Sequence, residues 1–348
     1  MKLGLNLGYW GSGNDRTNID LAVEADRLGY DVAWAAEAYG NDVVSTLAYV
    51  AAKTENIDIG SAVMQIPGRT PAMTAMTAAG LDSLSGGRFR LGLGVSGPQV
   101  SEGWHGVRYD KPLARTREYI EIVRMALARK RVRYDGAHFQ LPLPDGPGKA
   151  LMLVTPPLRK DIPIYLAAVG PKNLELTGEI TDGWLGVFTA YDELQPVLDR
   201  LQAGAEKAGR SLSDIDVAVS AGVAIGDDIE QLADRIRPHQ ALYIGGMGSR
   251  ETNFYNQNAV RLGYGDAAAK IQELYLGRHY DEAAAAVPLG LVDRTSLLGP
   301  VERVAERLQA LSENGATTVN VSPSGNDANE KINQLRLLMD AAQKAGIR

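Results

Sequence analysis

The chain has 348 residues, 45% hydrophobic and 22% charged, with 38 Gly, 16 Pro and no Cys. This apolar content excludes disorder, and the lack of Cys excludes a disulfide scaffold, a thiolate metal site and a cysteine nucleophile. With 36 Lys and Arg against 42 Asp and Glu the net charge is −6, so nucleic acid is not an expected partner, and an anionic ligand needs a local cluster of cations and backbone N–H groups.

Leu3–Leu7 reads as a strand and is followed by a Gly/Asn loop over 11–18. Thr17 or Asn18 then caps a helix that buries Ile19, Leu21, Ala22, Ala25 and Leu28 and stops at Gly29. Val32–Ala36 is almost continuously apolar, as suits a parallel strand covered on both faces. Helix Val43–Lys53, strand Ile57–Met64, helix Ala72–Leu84 and strand Phe89–Leu93 continue the alternation. Strand–helix units of about 30 residues imply parallel pairing with right-handed crossovers. Helix Ala114–Arg129 precedes a Pro/Gly-rich insertion over 131–157. Strands follow at Ile162–Ala168, Trp184–Phe188 and Ile215–Ile225, then helices from Asp227 to Gly290 around the glycine patch Tyr243–Arg250. Helix Val301–Glu313, strand Thr317–Val321 and helix Asn329–Ala345 close the chain. This rhythm predicts one (β/α)8 TIM barrel over 1–348, with insertions at about 131–157 and 240–290. In the rival, an open doubly wound sheet, a helix follows the first glycine turn at once, which the sequence after Gly8 does not show.

A barrel builds its active site from the loops that follow its strands. Those loops are Gly8–Trp10, Glu37–Tyr39, Met64–Arg69, Gly94–His105, Ala168–Lys172, Phe188–Tyr191, Ala224–Asp227 and Ser322–Ser324. Glu37 ends a strongly apolar strand and is a candidate ligand or acid–base group; the alternative is a structural partner for an Arg or a backbone N–H at the mouth. The glycines of Gly92–Gly97 let the backbone approach a flat ring or a phosphate, or simply form a tight turn, and Pro98 argues against a dinucleotide helix start. Of the four His, only His105 lies on such a loop, where it can protonate a substrate near neutral pH or face solvent. No His spacing suits a metal, and neither a nucleophile elbow nor a phosphate loop occurs. No apolar run is long enough to span a membrane, so a soluble, cytoplasmic protein acting on a small molecule is expected.

The segments Ile59–Gln65, Leu81–Gly94, Ile164–Pro171 and Thr181–Trp184 together resemble the luciferase-like monooxygenase superfamily. Tyr109–Glu118 and Tyr243–Gly248 further resemble its branch using the deazaflavin coenzyme F420. That resemblance implies a bulge after the third strand with a non-prolyl cis peptide at Ala62–Val63, backing the cofactor ring. It implies that Met64, Gly94, Val95, Ser96, Ala168, Val169 and Gly170 line the ring and its ribityl-phosphate chain, and that Arg294 meets the phosphate. Glu37 would then hydrogen-bond the ring or relay a proton, with His105 as the second acid–base candidate. Related sugar-phosphate dehydrogenases carry Asp-His where this chain has Glu37-Ala38, and Glu where it has Pro98, which disfavours their substrate. Methylene-tetrahydromethanopterin reductases keep a carboxylate at the Glu37 position. The implied function is F420-dependent hydride transfer between the cofactor C5 and a small organic substrate, in a homodimer or larger homo-oligomer. An FMN-dependent monooxygenase and a non-enzymatic cofactor-binding barrel are the alternatives.

Overall fold

A computed structural model describes the chain except residues 11–14, 249, 251 and 252. The predicted glycine loop at 11–14 and Ser249 of the glycine patch therefore lie outside the described residues. Eight parallel strands close a barrel: β1 Lys2–Asn6, β2 Val32–Ala35, β3 Asp58–Ser61, β4 Phe89–Gly94, β5 Ile164–Ala167, β6 Gly183–Gly186, β7 Asp216–Ile225 and β8 Thr318–Pro323. Each pairs with the next, for example Ala33 with Ile59 and Tyr165 with Gly183, and β8 returns to β1 through Leu3 and Val319. The predicted (β/α)8 barrel is the observed fold.

Alternation along the strands sorts side chains into two layers. Leu3, Leu5, Ile59, Leu91, Val219 and Val321 point outward into the apolar layer beneath the helices. Val32, Trp34, Tyr165, Leu185 and Ala218 point inward. The interior is filled by a few large groups set against bare backbone. Trp34 meets Tyr165 edge-on at 5.2 Å and donates its indole N–H to Asn320 at 2.9 Å. A Cβ on Gly60 would lie 2.3 Å from the Trp34 ring, so that position accepts no side chain. At the N-terminal end Asp216 gathers Tyr165, Thr318 and Arg90. Burial opposes its ionisation, but the Thr317 and Thr318 hydroxyls and Lys2 outweigh that and hold its pKa below the usual carboxylate value.

Several boundaries differ from the sequence reading. The first helix already runs from Asp15, which puts Asn18 inside it, buried, rather than at its cap. The predicted strand Ile57–Met64 breaks: β3 ends at Ser61, the Ala62–Val63 peptide is cis as expected, and Met64–Gln65 pairs separately with β4. β6 ends before Phe188, which turns out with φ 50°. The region over 131–157 holds a small hairpin, Tyr134–Asp135 with Gln140–Leu141, whose loop N–H groups at Ala137, His138 and Phe139 all donate to Glu118. A further strand, Ser296–Gly299, pairs with Gly222–Ile225 of β7 on the same edge as β6, beyond the point where β6 ends. Between β7 and that strand, helices from Ile229 to Arg294 pack around their own apolar cluster, including Leu232, Ile236, Ile271 and Val292. Among the described residues no helix is long and apolar enough to cross a membrane.

Candidate active site

The C-terminal mouth is organised by the chain's exit from β3. Ser61 locks that exit to β4: its hydroxyl donates to the Gly92 carbonyl at 2.8 Å and accepts the Gly92 N–H at 3.0 Å. Ala62 and Val63 follow, half-buried, packed with Ala167 on the upper surface of the inward-facing cluster. A Cβ on Gly94 would come 2.4 Å from Val63 Cγ2. The bare backbone of β4 is therefore what lets the turn sit so close, and Ala62, Val63 and Ala167 make a small apolar floor. Met64 is fully buried in the outer layer, and so is Ala168 almost entirely, so both predicted lining residues present backbone rather than side chain to the mouth. Val95 is half-buried, and Ser96 has φ 61°.

A polar array stands on the β2–β3 side. Glu37 is nearly buried (8% side-chain exposure), and both its oxygens accept from Arg69 Nη1, at 2.7 and 2.9 Å. Glu37 also accepts the Val43 N–H at 3.3 Å, while Arg69 Nη2 reaches Asp42, which caps helix Val43–Ala51 through the Ser45 N–H. The structure thus places Glu37 at the mouth, as expected, and gives it the arginine and backbone partners of the structural alternative. His105 bonds Gln65 Oε1 at 2.8 Å through Nε2, and the Gln65 amide donates to Ser96 at 3.4 Å. A Cβ on Gly68 would be 3.2 Å from His105 Cε1 and 3.7 Å from Glu37 Oε1, so the two predicted acid–base groups flank one bare turn. Arg69, Gln65 and Gly68 were not singled out from sequence, because their roles arise only when three distant loops meet.

On the opposite side, Val169 and Gly170 lead into helix Pro171–Ile180, whose cap residue Gly170 offers no side-chain hydrogen bond. Among the described residues the buried Asn173 Oδ1 in its first turn has no partner, nor do Trp10 Nε1 after β1 and Ser324 Oγ after β8. Buried polar atoms normally find partners, so three orphans on mouth loops fit a polar ligand bound there. Arg294 is placed differently from expectation. Its guanidinium is taken up by Asp192 at 3.0 Å, Glu193 at 2.6 Å and the Leu262 carbonyl, and these carboxylates raise its pKa. It ties the last helix of the insertion to the loop after β6 and is engaged without any phosphate. Phe188 and Tyr243 lie on segments the sequence marked, but His239 and Tyr255 were not among its site candidates; the four rings gather above β6 and are taken up below. Among the described residues no cluster of His, Asp or Glu could hold a metal.

The sequence pattern of luciferase-like monooxygenases matches residues 8–318. The chain belongs to that family. A Mycobacterium tuberculosis protein provisionally named a coenzyme F420-dependent oxidoreductase is 43% identical over 329 residues, covering 92% of this chain and 95% of its own. The 5,10-methylenetetrahydromethanopterin reductase of Archaeoglobus fulgidus is 30% identical over 315 residues, 88% of this chain and 90% of that one. The solved structure of the coenzyme F420-dependent tetrahydromethanopterin reductase from Methanopyrus kandleri superposes with a TM-score of 0.84 at 24% identity, covering 98% and 97% of the two chains, which shows the shared fold.

Proposed function

We propose that this chain is a coenzyme F420-dependent oxidoreductase that transfers a hydride between the cofactor and a small organic substrate at the barrel mouth. The observation that carries the reading is the 43% identity, over nearly the whole of both chains, to the M. tuberculosis protein provisionally named a coenzyme F420-dependent oxidoreductase. The mouth fits such a group. Ala62, Val63 and the bare Gly94 backbone make a floor on which a flat ring can lie, and the orphaned Asn173 Oδ1 and the uncapped helix start at Gly170 offer polar partners to its side chain. Bound there, the deazaflavin supplies two-electron hydride exchange at its C5 carbon.

The protein's own residues orient, exclude water and handle the proton. In this reading Glu37 works by position: tied to Arg69 and Val43, it fixes the turn over 64–69 against the cofactor. His105, oriented by Gln65, exchanges the proton that accompanies reduction or oxidation of the substrate. Fluorescence titration tests the cofactor: F420 should bind at least about tenfold tighter than FMN, a difference of about 1.4 kcal/mol. Equal or tighter FMN binding would overturn the assignment in favour of a flavin monooxygenase.

A further inference from the structure

Aromatic rings from separate segments converge on the β6 side of the mouth. Phe188 meets Tyr243 edge-on at 5.2 Å and Tyr255 at 5.9 Å, and Tyr243 meets Tyr255 at 4.9 Å. His239 lies 4.8 Å from Tyr243 and 5.8 Å from Phe188, while the Tyr9 and Tyr243 hydroxyls are 3.4 Å apart. The rings are held from behind by asparagines on their own backbone carbonyls. Asn258 donates to the Phe188 carbonyl at 2.9 Å, and Asn253 donates to the Tyr243 carbonyl at 3.0 Å.

Two properties set this group apart from an ordinary core cluster. Tyr9 is 42% exposed and His239 is also exposed, yet burial lowers the His239 pKa and raises those of Tyr243 and Tyr255, the latter to about 12. Ring surface therefore stays open at the edge of a cluster whose other members are packed in protein. The lining is also uncharged. Of the insertion arginines, Arg237 is engaged by Glu230 and Asp234 and Arg294 by Asp192 and Glu193, while Arg261 donates to Asn258 Oδ1 at 3.1 Å. The ring side chains themselves offer a phosphate or carboxylate no cation, but they offer π-surfaces and the phenol groups of Tyr9, Tyr243 and Tyr255.

We propose that Phe188, Tyr243 and Tyr255, with Tyr9 and His239, form the substrate wall, and that it selects a neutral, planar, conjugated carbonyl compound. The rings contact the π-system, and the Tyr243 hydroxyl donates a hydrogen bond to the carbonyl oxygen. The inference rests on the reading of the mouth as an F420 site and adds to it the class of substrate.

The test uses 4-phenylbut-3-en-2-one as probe and saturation-transfer NMR as readout, with and without F420. The wild-type protein should bind the probe saturably, and millimolar glucose 6-phosphate should leave that binding unchanged. Tyr243→Phe keeps the ring contacts and should weaken probe binding about three- to tenfold, with F420 affinity within about twofold of wild type. Phe188→Leu, which keeps apolar bulk but loses the ring, should weaken it further. Probe binding unchanged in both variants, or displacement of the probe by glucose 6-phosphate, would overturn the proposal. Loss of F420 affinity in step with the probe would also overturn it, by assigning the rings to the cofactor. A wild-type protein that fails to bind F420 refutes the oxidoreductase reading instead, and the probe contact is then still read on the cofactor-free protein.

Discussion

Replacing Glu37 by Gln should cost stability more than rate. Glu37 and Arg69 are 8% and 16% exposed, and two hydrogen bonds join them at 2.7 and 2.9 Å. Removing one charge from a buried pair costs about 3–5 kcal/mol when the other is left unpaired. Here Arg69 keeps Asp42 at 2.6 Å, and Gln retains one acceptor oxygen, so about half the lower bound to half the upper, roughly 2 kcal/mol, is expected. At about 2.1 cal/mol/K of unfolding entropy per residue, 1 kcal/mol shifts the melting temperature of a 348-residue chain by about 1.4 °C, so it should fall by about 3 °C. The assay pairs a thermal melt with single-turnover oxidation of reduced F420 at saturating cofactor. The expected variant melts early and keeps its rate to within about tenfold, as the proposed roles of Glu37 in holding a turn and of His105 in moving the proton require. An unchanged melt with a loss of roughly 10²-fold or more would refute this and make Glu37 a catalytic acid–base group.

The remaining predictions concern other parts of the barrel. His105→Gln should slow single turnover by about 10²-fold or more while F420 affinity, measured by fluorescence, stays near normal. Gly94→Ala places a methyl 2.4 Å from Val63 Cγ2; it should destabilise by about 1–3 kcal/mol and weaken F420 binding, and a variant that binds normally would show that the floor is not the ring's seat. Arg294→Ala should lower the melting temperature and speed amide exchange in helix Phe254–Arg261, leaving F420 affinity unchanged; preserved stability with weakened binding of F420 would restore a phosphate role. Asp216, whose folded pKa is depressed, contributes stability that is full above the unfolded carboxyl value and is lost as pH falls through the lower folded one. Asp216→Asn should therefore melt well below wild type at pH 7, and the gap should close below about pH 4.

What could be read from sequence follows physical lines. β2 was legible because a strand covered on both faces is apolar throughout, and Glu37 and His105 were legible because strand ends mark the mouth. Ile57–Met64 was read too long because an apolar run does not reveal where the backbone leaves the sheet. Ser296–Gly299 was hidden for the opposite reason: Ser-Leu-Leu-Gly among helices is too short to carry a period of its own. Partnership was less visible still. Arg69 lies 32 residues from Glu37, and nothing local says that the guanidinium closes on that carboxylate rather than facing an anion. Arg294 shows the same limit, since its acids Asp192 and Glu193 are about a hundred positions away in sequence. The ring wall was invisible because the segment carrying His239, Tyr243 and Tyr255 has no barrel landmark to say which way it leans.

β7 gives the molecule a further property. The chain leaves the barrel after Ile225 and comes back at Ser296, and the two ends are zipped together: Gly222 pairs with Ser296, and the Gly226 N–H donates to the Gly299 carbonyl. The residues between therefore form an excursion whose exit and entry are adjacent, with an apolar centre of its own. Its length and composition can drift without disturbing the register of any barrel strand. Because that excursion carries His239, Tyr243 and Tyr255, the part of the molecule freest to diverge is also the part that holds most of the proposed substrate wall. New specificities can arise there by exchange of one cassette, with the floor beneath left as it is.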